Sequence, residues 1–335
     1  MTDMLAQIRT MGDQLRWAAG LKAPHIGTHS EVLCAGMGGS GIAGDYAAAI
    51  AVAHGTRIAV HKGYAPIPAW AIRVRPLVIA ASYSGNTEET LDAALSAHEG
   101  GLPVATVTTG GTLAEMGAKR GWPSIVVPTG LQPRAAAGHM IGAVLKLLEG
   151  AHAIDDQRFA LIEAAGIADT ALTEGSTRWL EAEGVAAGLS GRIPIVYGGG
   201  PLTSVVAQRW KTQINENAKI PAWWSVLPEL DHNEITGWET MPEVTSKHLG
   251  IVALTDRADH PRIEARLAHT ARLTEDAVPW VARISSEGTS PLARLISLTA
   301  VGDMVSWMIA DAAGVDPLPV ATIERLKKLL VEGNQ

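Results

Sequence analysis

The feature that most constrains this 335-residue chain is a recurring local pattern: a short apolar run, a turn rich in glycine or hydroxyls, then a helix-spaced segment. Glu31–Ala35 leads through glycines into the Ala-rich, helical Gly41–Ala53. Arg57–His61, Leu77–Ser82, Pro103–Thr108 and Ser124–Pro128 are further short runs, β-branched in large part. Between them, Glu88–His98, Leu113–Arg120 and Arg134–Glu149 carry helical spacing. Strands that alternate with helices imply a mainly parallel sheet covered on both faces. Five strands with short connections predict a flavodoxin-like doubly wound domain.

The pattern returns more loosely further on. Arg192–Tyr197 precedes Gly198-Gly199-Gly200 and a helix from about Leu202, and Gly250–Leu254 and Val278–Ile284 read as later strands. Pro291–Ala313 reads as a long buried helix, stopped by Asp316-Pro-Leu-Pro, where proline cannot continue it. A short basic-faced helix, Ile323–Leu330, follows. The expected division is an N-terminal helix over 1–25, a first α/β domain over 26–155, and a second over 156–335 that includes the C-terminal helix.

Composition narrows the function. Hydrophobic residues make up 47% of the chain, enough to bury two cores. The formal charge of −7 argues against a nucleic-acid or membrane-surface partner, so an anionic substrate would need a local site to attract it. A single cysteine, Cys34, cannot form an internal disulfide. The first residues are amphipathic and of mixed charge without an apolar signal core, and no stretch of 18 or more apolar residues appears. A cytoplasmic location is expected. The ten tryptophans can line a sugar-stacking surface, but dispersed tryptophans are more often core and interface residues.

Two turns carry chemistry. Gly36-Met-Gly-Gly-Ser-Gly41 follows a strand and opens a helix, where glycines allow close approach and free N–H groups bind anions. Its glycines also fit a dinucleotide spacing, but the acidic residue expected after the second strand is replaced by His61 and Lys62. Tight strand–helix packing explains the same glycines without a ligand. Ser82-Tyr-Ser-Gly-Asn-Thr-Glu-Glu-Thr90 offers three hydroxyls around a Gly-Asn turn, a donor set suited to a phosphate monoester. Ser84 as an ordinary helix cap is the alternative. No P-loop lysine is present, and no His/Cys/Asp cluster has ligand spacing, so neither metal nor cofactor is expected.

GMGGSG followed by SYSGNTEET resembles the SIS (sugar isomerase) domain. Pro133-Arg-Ala-Ala136, Asn215-Glu-Asn-Ala-Lys-Ile-Pro221, Leu230-Asp-His-Asn-Glu-Ile235 and Ile323-Glu-Arg-Leu-Lys327 resemble the bifunctional phosphoglucose/phosphomannose isomerase branch, in order across both halves. The resemblance implies two flavodoxin-like doubly wound SIS domains in tandem plus a short C-terminal helix. It implies reversible conversion of glucose 6-phosphate, and of mannose 6-phosphate, to fructose 6-phosphate by ring opening and enediol proton transfer. Phosphate would be held by Gly39, Ser40, Ser82, Ser84, Thr87 and Arg134. Glu216 would be the base, His232 a ring-opening residue and Lys327 a second one. The family's homodimer would let His232, on an exposed Pro228–Asn233 loop, serve the partner's site. Ordinary explanations remain for each: a surface Arg134, an ion pair of Glu216 with Lys219, a loop hydrogen bond for His232, a solvated helix face for Lys327 with Lys328 beside it. The competing readings are a sugar-phosphate sensor that has lost its chemistry and an isomerase of another phosphosugar.

Overall fold

In the computed structural model, which describes residues 3–332, parallel pairing builds two sheets. The outermost residues of the expected N-terminal and second-domain ranges, 1–2 and 333–335, lie outside the described residues. The first sheet contains β1 (Glu31–Ala35), β2 (Arg57–His61), β3 (Leu77–Ser82), β4 (Val104–Thr108) and β5 (Ser124–Val126), in the order β2-β1-β3-β4-β5. This is the flavodoxin order read from the alternation. All pairings are parallel, with Val32 beside Leu77 and Ser82 beside Thr108. Every residue of β3 is buried, since it lies between β1 and β4 with helices on both faces, whereas the edge strand β2 is only half covered. Successive strands are added on one side of β1 and then, from β3, on the other, and the crevice above that switch point is where ligands sit in open α/β sheets.

The second sheet contains β6 (Ile193–Gly198), β7 (Trp223–Val226), β8 (Leu249–Thr255) and β9 (Trp280–Ser285), in the order β7-β6-β8-β9. Strand β7 was not legible in the sequence: it has four residues, sits at a sheet edge and exposes Trp223. Helices Arg158–Ala171, Thr177–Gly188 and Pro261–Thr274 were also not read. The N-terminal segment forms two helices, Met4–Ile8 and Met11–Ala19, and the second packs on Ala137–Gly150 and Arg158–Ala171.

The two halves are not independent cores. One buried cluster runs from Met4 through β1 and β3 to the helix Pro291–Ala312. Helix Pro201–Gln213 packs against both Gly38–Ala51 and Pro291–Ala312. There Trp210 crosses so close to Gly302 that a Cβ would meet its indole at 2.2 Å, and its Nε1 donates to the Leu298 carbonyl at 2.9 Å. Pro291–Ala312 is long and apolar enough to cross a membrane, but 94% of its apolar window is buried inside the protein. It serves here as the shared core helix, and it carries Asp303 inward.

Candidate active site

Both phosphate-loop candidates emerge at the carboxyl ends of adjacent strands, β1 and β3. The first helix starts at Gly38, earlier than the spacing suggested. Gly39 faces the Pro133–Arg134 backbone so closely that a Cβ would lie 3.1 Å from the Pro133 carbonyl. The Ser40 hydroxyl accepts from the Tyr83 N–H at 3.0 Å, so the two loops are bonded to each other.

The second loop is built around a hydroxyl pair. Ser82 is fully buried; its Oγ lies 2.8 Å from Thr87 Oγ1 and accepts the Gly85 N–H at 3.1 Å. Gly85 has φ +69°, and a Cβ there would sit 1.8 Å from the Gly110 carbonyl, so only glycine closes this turn. Ser84 accepts from the Asn86 N–H at 3.2 Å within the turn. Thr87, not Ser84, is the N-cap of helix Glu88–Glu99, and no side chain caps that end. Capping therefore does not account for these hydroxyls, and the N-terminal end of the helix is left for another acceptor.

Arg134 lies in a 3-10 turn, Pro133–Ala135, and only 4% of its side chain is exposed. Its Nε donates to Asn217 Oδ1 at 2.7 Å, and its Nη2 donates to the carbonyls of Pro317 at 2.5 Å and Leu318 at 3.0 Å. Nη1 faces Glu216 Oε2 at 3.5 Å. Burial lowers the affinity of this guanidinium for its proton, and the Glu216 carboxylate opposes that. The arginine sits inside, not on the surface.

Glu216 comes from a single π-turn, Ile214–Ala218, that ends helix Pro201–Gln213. Insertions of this kind recur at functional sites because they re-aim one side chain out of the helical register. Ile214, Asn217 and Ala218 are buried while the Glu216 side chain is 29% exposed. Lys219 follows at φ +60°, and its Nζ donates to the main-chain carbonyl of Glu216 and, at 3.2 Å, to that of Pro317. The ion pair between Glu216 and Lys219 is thus not formed; the carboxylate faces Arg134 instead.

These groups meet in one cavity of about 300 Å³ lined by Gly39, Ser40, Ser84, Thr87, Arg134, Glu216 and Lys327. Lys327, not Lys328, reaches it, because helix Ala321–Glu332 turns Ile323 and Lys327, four residues apart, toward the opening. A second cavity of about 350 Å³, lined by Thr87, Glu89 and Lys327, adjoins it. Met37, Tyr83, Gln132 and Val320 also line the first cavity and were not read from sequence. Gln132 and Tyr83 flank residues that were read, so adjacency was the one available signal.

Ser82 and His232 do not line the cavity. Ser82 sits beneath it and orients Thr87. His232 is exposed at the end of a 3-10 turn, Glu229–His232, so the expected loop is a held platform. Leu230 is buried beneath it, Asp231 accepts from Arg266 at 2.9 Å and Thr270 at 2.8 Å, and Glu234 accepts from Tyr197 and Ser225.

Residues 180–330 match the family described as the bacterial phospho-glucose isomerase C-terminal SIS domain. The chain is 38% identical over 310 residues to a bifunctional phosphoglucose/phosphomannose isomerase of Caldicellulosiruptor bescii, covering 90% of each chain. It is 36% identical to the enzyme of that name from Aquifex aeolicus, covering 92% of each. Among solved structures it overlays on a hypothetical protein of Thermus thermophilus with a TM-score of 0.76, at 16% identity, covering 99% of this chain and 90% of the other. That likeness is one of fold. Identity of 36–38% spread over nine-tenths of both chains shows that the chain, whose two candidate phosphate loops and Glu216 meet in one cavity, belongs to the bifunctional phosphoglucose/phosphomannose isomerase family.

Proposed function

We propose that this protein interconverts glucose 6-phosphate, and mannose 6-phosphate, with fructose 6-phosphate through an enediol. The observation that carries the reading is the placement of the Glu216 carboxylate, half-buried and free of Lys219, on the wall of the cavity that holds both phosphate loops. Ser84, Thr87 and the Gly39–Ser40 turn hold the phosphate and so fix the sugar end to end. In ring opening, a proton is delivered to the ring oxygen as its bond to C1 breaks and the C1 hydroxyl proton leaves. Lys327 and the histidine His232 are the groups assigned to that step. Glu216 then takes the C2 proton, the electron pair forms the C1–C2 double bond, and charge gathers on the sugar oxygens. The Nη1 edge of Arg134, 3.5 Å from Glu216, is placed to neutralise that charge as well as to meet the phosphate. A proton passes from the C2 hydroxyl oxygen to O1, and return of the carbon-bound proton to C1 as the C2 carbonyl forms gives the ketose.

Glu216→Gln tests this. It keeps size and hydrogen bonding but cannot accept a proton, so kcat is expected to fall by about 10²- to 10⁴-fold, and exchange of the C2 hydrogen with deuterated solvent to cease. Exchange at the wild-type rate in this variant would show that another group is the base.

His232, exposed and outside its own chain's cavity, is read as completing the site of a second copy in a homodimer. Mixing inactive Glu216→Gln with inactive His232→Ala subunits then restores activity; no recovery despite proven subunit exchange would assign His232 to its own chain. The single cysteine, Cys34, which has no partner in the chain for an internal disulfide, and the charge of −7 support a cytoplasmic protein without nucleic-acid or membrane partners. Cell fractionation and vesicle or DNA co-sedimentation check that reading.

A further inference from the structure

We infer that Asn217 is the residue that positions Arg134 for the reaction, and that Ser306 decides which way its amide faces. The inference rests on the reading of Arg134 and Glu216 given above. Asn217 follows Glu216 on the π-turn and is fully buried, outside the cavity lining. Its Oδ1 accepts from Arg134 Nε at 2.7 Å and its Nδ2 donates to Ser306 Oγ at 2.9 Å.

An amide side chain fits equally well either way round, so only its neighbours' chemistry selects an orientation. Ser306 has one hydroxyl proton and donates it to the Asp303 main-chain carbonyl at 2.7 Å. Toward Asn217 the serine oxygen can therefore only accept. Arg134 Nε can only donate. One neighbour requires the NH2 and the other the oxygen, so the orientation is keyed from both sides. The main chain of Arg134 is held from the same half of the molecule: its carbonyl accepts from Arg209 Nη2 at 3.0 Å and Gln213 Nε2 at 3.3 Å.

A guanidinium is planar, so fixing Nε and one terminal nitrogen fixes the other. With Nε on Asn217 and Nη2 on the Pro317 and Leu318 carbonyls, Nη1 is the group directed at Glu216, with Gln132 Oε1 at 3.4 Å. Loss of the Nε bond lets the plane turn about its stem and carries Nη1 away from the reacting carbons. Asn217 touches no substrate in this scheme; it acts through Arg134.

The test is a kinetic cycle on glucose 6-phosphate with wild type, Asn217→Ala, Arg134→Lys and the double variant, at enzyme concentrations high enough to follow the slow forms. Lysine keeps the charge but has no Nε–H. Asn217→Ala is expected to lower kcat about 10- to 100-fold, the worth of one hydrogen bond to a charged group, with a smaller rise in KM because Ser84, Thr87 and the Gly39–Ser40 turn still hold the phosphate. In the Arg134→Lys background the same substitution is expected to change kcat less than about 2-fold, since the partner is already gone. Equal losses in both backgrounds, or a rise in KM in place of the fall in kcat, overturn the inference. Should Asn217→Ala fail to fold, Ser306→Ala removes a single hydroxyl and decides the matter. A fall in kcat confined to the Arg134 background supports the keyed amide, and a fall in both or in neither overturns it. Solvent exchange in Glu216→Gln is read separately, so a wrong base assignment would leave a non-additive cycle standing.

Discussion

Replacing Asp303 by asparagine removes the counter-ion of a cation that the fold cannot release. The Arg209 and Asp303 side chains are each 2% exposed and lie 2.7 Å apart, and Gln213 Nε2 donates to the second carboxylate oxygen at 2.8 Å. Burial raises the Asp303 carboxyl above the usual carboxylate range, and Arg209 and Gln213 oppose it. Asparagine has the same size, so no cavity opens and the change isolates charge and one acceptor. Removing one member of a buried pair costs about 3–5 kcal/mol. Arg209 keeps the Arg134 carbonyl as an acceptor at 3.0 Å, which places the expected loss near the lower end, about 3 kcal/mol. Urea unfolding followed by far-UV circular dichroism measures it: the m-value of a 335-residue chain lies above the about 1–3 kcal/mol/M of small proteins, so the midpoint drops by up to about 1 M. A double variant, Arg209→Met with Asp303→Leu, replaces both charges by apolar groups and is expected to recover most of the loss. Because Arg209 and Gln213 also hold the Arg134 carbonyl, kcat falls in Asp303→Asn as well. An Asp303→Asn chain within about 0.5 kcal/mol of wild type, the range of an ordinary surface change, would show that Arg209 is not the trapped charge described here.

Other expectations follow from the same contacts. Ser84→Ala and Thr87→Ala each remove a donor to a phosphate dianion, so KM for every phosphorylated substrate is expected to rise about 10- to 100-fold; steady-state kinetics checks this, and unchanged KM in both removes the assignment. Ser82→Ala is expected to raise KM through a loosened Thr87, since Ser82 is fully buried and bonded to it. His139, buried against Trp17, has its pKa lowered by burial from 6.5 to about 4. The unfolded chain then binds the proton first, so the stability from a neutral His139 is complete above about pH 6.5 and is lost as pH falls toward about 4, at up to about 1.4 kcal/mol per pH unit. In His139→Leu that part of the acid slope, read from unfolding midpoints, is expected to flatten.

The strands β1 to β5 were legible because their apolar runs are bounded by glycines and separated by helix-spaced segments, a strictly local signal. Strand β7 and the 3-10 turn carrying His232 carry no such period, being too short for one to register. Likewise the π-turn at Ile214–Ala218 cannot be told from ordinary helix in a sequence, since one inserted residue leaves composition unchanged. Of the site, the hydroxyls of the second loop could be read from their spacing, while Glu216 and Arg134 depended on resemblance.

By itself the sequence determined the alternating parallel architecture, the two anion-suited turns after β1 and β3, and the residue types a proton transfer needs. All of these are local: they depend on neighbours a few positions apart. Only the tertiary structure decided which groups share a cavity. It buried Ser82 against Thr87, turned Glu216 from Lys219 to Arg134, brought Lys327 and not Lys328 to the cavity wall, and left His232 on a platform outside. It also tied Arg134, from the first half, to Asn217, Arg209 and Pro317, from the second. Contacts of that kind join residues about 75 to 183 positions apart; no periodicity or motif encodes them, because they exist only once both sheets have packed on the shared helix Pro291–Ala312.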